Sequence, residues 1–193
     1  MFMAKSESLL TFEHAIQDAA DLLNHFDELN AGSLLPSGAE VLKRASLVMA
    51  LAALETYMED RITEAVNAIA SKAPEPDRLA NFYKASLDND LKYFHTPSVE
   101  RVKTIFDKYL GMDVTEGWCW NHYDPSRART ELNRIVKKRC EIAHRSMRPV
   151  IGQSNPHAVT RDELRKHIRF IRDLVEATDT FIGNKMQLSD CIA

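Results

Sequence analysis

Eight consecutive apolar residues, Leu47-Val48-Met49-Ala50-Leu51-Ala52-Ala53-Leu54, constrain this chain more than any other feature. A helix segment that is apolar on every side belongs in the middle of a fold. Eight residues are far short of the about 20 that a membrane-spanning helix needs, so the run reads as a buried core helix. The sequence around it is helical in period almost throughout. A first helix is expected from about Ser6 to Asn30, with Leu9, Phe12, Ile16, Ala19, Leu23 and Phe26 stepping by three or four. Gly32, Pro36 and Gly38 end that pattern, and the core helix should run from about Ala39 to Lys72, closed by Pro74 and Pro76.

A further helix is expected from about Asp77 to Phe94, and Thr96-Pro97 should open the next, with Pro at the first helical position. Its apolar residues are Val99, Val102, Ile105, Phe106 and Tyr109, and Gly111 should stop it. A loop carrying Trp118, Cys119 and Trp120 follows. Asp124-Pro125 then starts a helix reaching about His144. The last helix begins with the capping box Thr160 and Glu163, flanked by a staple of Val159 on Leu164. Its stripe is Leu164, Ile168, Ile171, Leu174, Val175, Thr178 and Ile182. No repeat, linker or low-complexity tract interrupts the chain. The expectation is one all-α domain over residues 1–193, a bundle of five or six helices, with its core at about 39–184 and the helix of 1–38 packed on it.

Composition narrows the class. The 193 residues carry a net charge of −3 with 45% apolar residues, which excludes a disordered chain. Residues 1–5 lack the basic start and apolar stretch of a secretory signal. The scattered Cys119, Cys140 and Cys191 form no disulfide framework. Together these point to a reduced, cytoplasmic protein. The mild total hides a split: residues 125–172 hold 13 Lys/Arg against four Asp/Glu, a balance of +9, and the other 145 residues carry −12. A polyanion partner such as RNA is the simplest physical reason for such a segment. The alternative is an acidic protein partner, such as a cognate inhibitor, or the −12 remainder of the same chain.

One residue does not fit the bundle. On the helix from Pro125 to His144, Ala128, Leu132, Ile135, Val136, Ile142 and Ala143 share an arc about 120° wide, with Arg139 near its middle. A guanidinium stays charged at any accessible pH, and buried alone it would cost several kcal/mol. Either an acid meets it, or that part of the face opens onto a groove for an anion. Glu55 follows the apolar run on the core helix and is the natural partner, whether in a buried ion pair or as the group that orients Arg139 in a polar site. His144 lies near the helix end, where a proton-transfer role or a capping role is open to it.

The segment Arg139-Cys140-Glu141-Ile142-Ala143-His144 resembles the Arg-x4–6-His signature of HEPN domains. With Ala53 to Arg61 on the core helix, Trp118 to Asn121 ahead of the motif helix and an amphipathic final helix, it is most similar to the RiboL-PSP type. The resemblance spans roughly Ala39 to Ile182. It implies a helical bundle that dimerises around the motif helix. It also implies a metal-independent endoribonuclease, without cofactor, that uses the RNA 2′-hydroxyl as nucleophile and leaves a 2′,3′-cyclic phosphate. Carried over, Arg139 holds the scissile phosphate, His144 is general acid or base, and Glu55 and Cys140 support them. Cys140 stands where the family often has Asn, Asp or His, and Arg145 where it often has Gly. Lys137, Lys138, Arg145 and Arg148 flank the motif as candidate RNA contacts. The family also implies a toxin–antitoxin or defence setting, with an antitoxin or defence protein as partner. Some members bind RNA or proteins without cutting.

Other chemistry is less well supported. Cys119, His122, Cys140 and His144 supply the ligand types of a zinc site, but such sites belong mostly to small metal-dependent folds. A Cys140–His144 nucleophile pair lacks an orienting residue. No Gly-rich phosphate loop is present. Trp118, Trp120 and Tyr123 are expected to pack their loop on the bundle rather than stack on bases.

Overall fold

The computed structural model describes residues 5–31, 39–72, 78–144 and 159–190, the side chains of 144 and 188–190 excepted. Among the described residues are six α-helices: α1 (Glu7–Asn30), α2 (Glu40–Ala70), α3 (Arg78–Leu91), α4 (Val99–Leu110), α5 (Pro125–His144) and α6 (Arg161–Asp190), with a short 3-10 turn at Val114–Gly117. Local chemistry fixes where they begin. Ser6 accepts the Leu9 N–H at the start of α1, Ser98 accepts the Arg101 N–H at α4, and Asp124 accepts the Arg127 N–H at α5. These satisfy donors that have no partner within the helix. Gly111, at φ +63°, ends α4 with its N–H on the Asp107 carbonyl, a left-handed turn that a side chain would strain. At α6 the capping box is reciprocal: Glu163 N–H bonds Thr160 Oγ1, and the Glu163 carboxylate accepts the Thr160 N–H at 3.1 Å. Val159 and Leu164 are both buried beside it.

Helix α2 is the hub, in contact with α1, α3, α4, α5 and α6. Leu47, Ala50, Leu51, Leu54, Met58 and Ile62 are at most 2% exposed. Each such Leu or Ile contributes about 1.5–3 kcal/mol of burial, which makes this helix a major source of stability. The apolar run is not buried all round, however. Met49 and Ala52 face outward, because five packed neighbours still leave one strip of a central helix uncovered. A second correction concerns α4. Pro97 precedes the Ser98 cap rather than occupying the first helical position, and the serine hydroxyl, which proline cannot replace, sets the boundary.

Loop 111–124 packs as expected. Trp118 is fully buried and donates Nε1–H to Thr178 Oγ1 at 2.8 Å, and Thr178 donates in turn to the Leu174 carbonyl. Trp120, Tyr123 and Phe170 cluster with ring centroids 5.1–5.6 Å apart, which ties the loop before α5 to α6. Gly117 lies directly on Phe181: a Cβ there would be 2.4 Å from the ring. No helix among the described residues is long and apolar enough to cross a membrane.

Candidate nucleic-acid site on the motif helix

Helix α5 buries Ala128, Leu132, Ile135, Val136 and Ile142, the arc expected from its period. Ala143 is the exception and is exposed, because the core-facing arc drifts away from it in the last turn. Arg139 is half-buried, and it makes no hydrogen bond or ion pair among the described residues. The expected Glu55–Arg139 pair is not formed. Glu55 instead accepts the backbone N–H of Thr96 at 2.9 Å. Thr96 is held at φ +79°, a strained conformation for a β-branched residue. Arg101 steadies the same turn by donating to the carbonyls of Tyr93 and His95. One turn along α2, Glu59 is pushed up to about 7 by partial burial and by the charges of Glu55 and Asp60.

His144 is the last residue of α5. Five residues separate it from Arg139, about 7.5 Å along the axis and about 140° around it. Cys140 is half-buried against the core, Cys119 is exposed, and His122 is exposed. No group of three or more His, Cys, Asp or Glu among the described residues could hold a metal ion. Arg145, Arg148 and Cys191 lie outside the described residues.

The basic segment is largely engaged within the chain. Arg161 and Arg165 both bind Asp27 of α1, at 2.6 Å each. Arg134 grips Glu131 through two bonds of 2.9 and 2.8 Å. Lys138 reaches both oxygens of Glu163 at 3.2 Å. Arg129 bonds Thr115 Oγ1, and Arg172 bonds Gln17. Part of the −12 remainder thus neutralises the +9 segment. Exposed Lys137 on α5 and exposed Lys166 and Arg169 on α6 make no hydrogen bond or ion pair among the described residues, which leaves them, with Arg139, as the cations of this segment open to an outside anion. Lys138 is not among them.

Between α5 and α6 lies a residue that sequence reasoning missed. His167 is 1% exposed, and neither ring nitrogen has a hydrogen-bond partner. Glu131 stands 3.6 Å from Nδ1. Burial, reinforced by the Arg134 charge, holds the imidazole down at about 4, against the opposing pull of Glu131 and Glu163. It is neutral at physiological pH. Partial burial of Glu163 works against its charge, but the Thr160 N–H and the Lys138 ammonium outweigh that and hold it at about 2. The signal for His167 was present: it lies three residues after Leu164 and four before Ile171, on the apolar stripe. Another polar intrusion into the core is Arg61, with Asp179 at 2.8 Å.

A helical bundle with this motif at the end of its fifth helix has a match among known families: the family model described as RiboL-PSP-HEPN covers residues 14–184. The chain belongs to the RiboL-PSP-HEPN family. The match takes in most of α1 together with α2 to α5 and most of α6. No curated protein and no solved structure matches the chain.

Proposed function

We propose that this HEPN protein is a metal-independent endoribonuclease. The observation that carries the reading is Arg139, a half-buried guanidinium on the core-facing arc of α5 with no protein partner among the described residues. A cation left unpaired at such a place fits an anion arriving from outside, and a guanidinium fork fits a phosphodiester. In the reaction, the RNA 2′-oxygen attacks the adjacent phosphorus and the bond from phosphorus to the 5′-oxygen breaks. The 2′-hydroxyl proton passes to a base, and the leaving oxygen takes one from an acid. A 2′,3′-cyclic phosphate and a 5′-hydroxyl result. Arg139 stabilises the charge that builds on the phosphoryl oxygens, and His144 moves the protons. As family membership suggests, the site is completed by the α5 end of a second copy. Lys137 steers the strand, with Arg145 and Arg148 as further contacts. Family membership supports a toxin–antitoxin or defence setting, with a protein partner that restrains the enzyme.

The engagement of most basic residues with acids of the same chain supports a second reading, a non-catalytic RNA-binding or protein-interaction module. The two separate in one experiment. RNA is incubated with the protein in excess chelator, beside Arg139→Ala and His144→Ala. The enzyme reading expects cleavage by wild type, reduced about 10²-fold or more by either change, with cyclic-phosphate ends. Binding without cleavage by wild type would support the module.

A further inference from the structure

A cavity of about 510 Å³ opens between the start of α1, the middle of α2 and the end of α6, well removed in the chain from the α5 motif. At its wall is Arg61, only 5% exposed. The Nε–H donates to Asp179 Oδ1 at 2.8 Å. Asp179 is fully engaged, since it also accepts from Ser6 N–H, Ser6 Oγ–H and the Tyr57 hydroxyl. The two Nη nitrogens of Arg61 have no hydrogen-bond partner among the described residues, and neither is sealed from the cavity it lines. A buried guanidinium with its outer edge free is a receptor for a carboxylate or phosphate oxygen pair.

The charges around the fork choose between ligands. Glu64 lies three residues from Arg61 on α2, hence on the same helix face, yet does not pair with it. Its Oε2 is occupied by Ser8 N–H and Oγ–H, which leaves Oε1 free. Glu176 is exposed at the rim and has no hydrogen bond among the described residues. Lys5 also lines the cavity, but its ammonium is bonded to Glu13. Two cations, Arg61 and Lys5, thus face three anions, Glu64, Glu176 and Asp179. A phosphate dianion would meet net repulsion, and a plain amine would leave the fork empty. A ligand carrying a carboxylate and an ammonium on neighbouring atoms satisfies both halves.

We propose that this cavity binds a free α-amino acid, its carboxylate on the outer edge of Arg61 and its ammonium between Glu64 and Glu176. Thr180 and Gln187, which also line the cavity, lie beside the bound zwitterion. Binding ties α1, α2 and α6 together and stabilises the folded state by mass action.

The test is calorimetric titration and thermal unfolding of the full chain with each of the twenty L-amino acids. Acetate, inorganic phosphate and ethylamine serve as single-charge probes. At least one amino acid should bind and raise Tm, with acetate, phosphate and ethylamine each weaker by about tenfold or more. Glu176→Gln, an exposed change, should weaken that binding about tenfold, and Arg61→Lys should abolish it. If Arg61→Lys does not fold, Glu176→Gln decides alone. No binding of any amino acid up to roughly 10 mM, or an affinity that acetate or phosphate reproduces and Glu176→Gln leaves unchanged, would overturn the proposal. RNA cleavage is not read in this experiment, so its outcome is independent of the α5 site.

Discussion

Replacing His167 with leucine should flatten the acid side of the protein's stability profile. The imidazole is buried between α5 and α6, with Glu131 and the charges of Arg134, Lys138 and Glu163 around it, and is held at about 4 from an ordinary 6.5. Its folded-state value lies below its unfolded one, so between those limits the unfolded chain binds more protons. Stability therefore falls as pH falls from about 6.5 towards 4. For these two values the loss is about 0.8 kcal/mol at pH 6 and about 2 kcal/mol at pH 5, relative to pH 7.5. Glu59 acts in the opposite sense over part of this range: its raised carboxyl stabilises the fold at low pH and loses that contribution as pH rises through about 7. Glu163, held at about 2, contributes stability that is lost only below the ordinary carboxylate range. The difference between wild type and His167→Leu cancels both. Urea unfolding at pH 7.5, 6 and 5 should show the variant gaining about 2 kcal/mol on wild type across that interval. At pH 7.5 it should already be no less stable, because two unpaired ring nitrogens leave the interior while Glu131 keeps its bond to Arg134. Parallel stability curves for the two proteins would refute the reasoning.

Other outcomes follow from single contacts. Gly117→Ala sets a methyl 2.4 Å from the Phe181 ring and should cost about 1–3 kcal/mol, regained in the double variant with Phe181→Ala, as measured by thermal unfolding. Asp179→Ala strands Arg61 and should cost about 3–5 kcal/mol, whereas Arg139→Ala, which orphans no acid, should stay within about 0.5 kcal/mol of wild type. Thr96→Gly relieves the φ of +79° and should raise stability by about 1 kcal/mol in denaturant titration. Lys137→Ala should weaken RNA binding at low salt and reduce the salt slope by about 1; an unchanged slope would remove Lys137 from the RNA surface.

The helices were legible because their signals are local. The stripe of α6, its capping box and the hub position of α2 each rest on residues within a few turns of one another. The stripe pattern that singles out Arg139 on α5 also marks His167 on α6, three residues after Leu164 and four before Ile171. What sequence could not supply was pairing across helices. Glu55 looked like the acid for Arg139 because both lie on inward arcs, but helical period gives no axial offset between two helices. The offset in the fold sends Glu55 to the Thr96 turn and brings Arg61 opposite Asp179. Charge behaved likewise: +9 on residues 125–172 was correct as arithmetic, but only the packing of α1 against α6 shows that Asp27 takes two of those cations.

The serine that caps α1 carries a temporal consequence. Both its backbone N–H and its hydroxyl are bonded to Asp179, 173 residues later in the chain. A contact of that span forms late, since the whole intervening loop must close before it is made. During synthesis α1 and α2 emerge before α6 and can pair, and Ser6 can cap α1 locally on the Leu9 N–H, but its tie to Asp179 and the partner of Arg61 wait until α6 has been translated. Helix α5 likewise leaves the ribosome before the α6 residues that hold it, Glu163 on Lys138 among them, have been made.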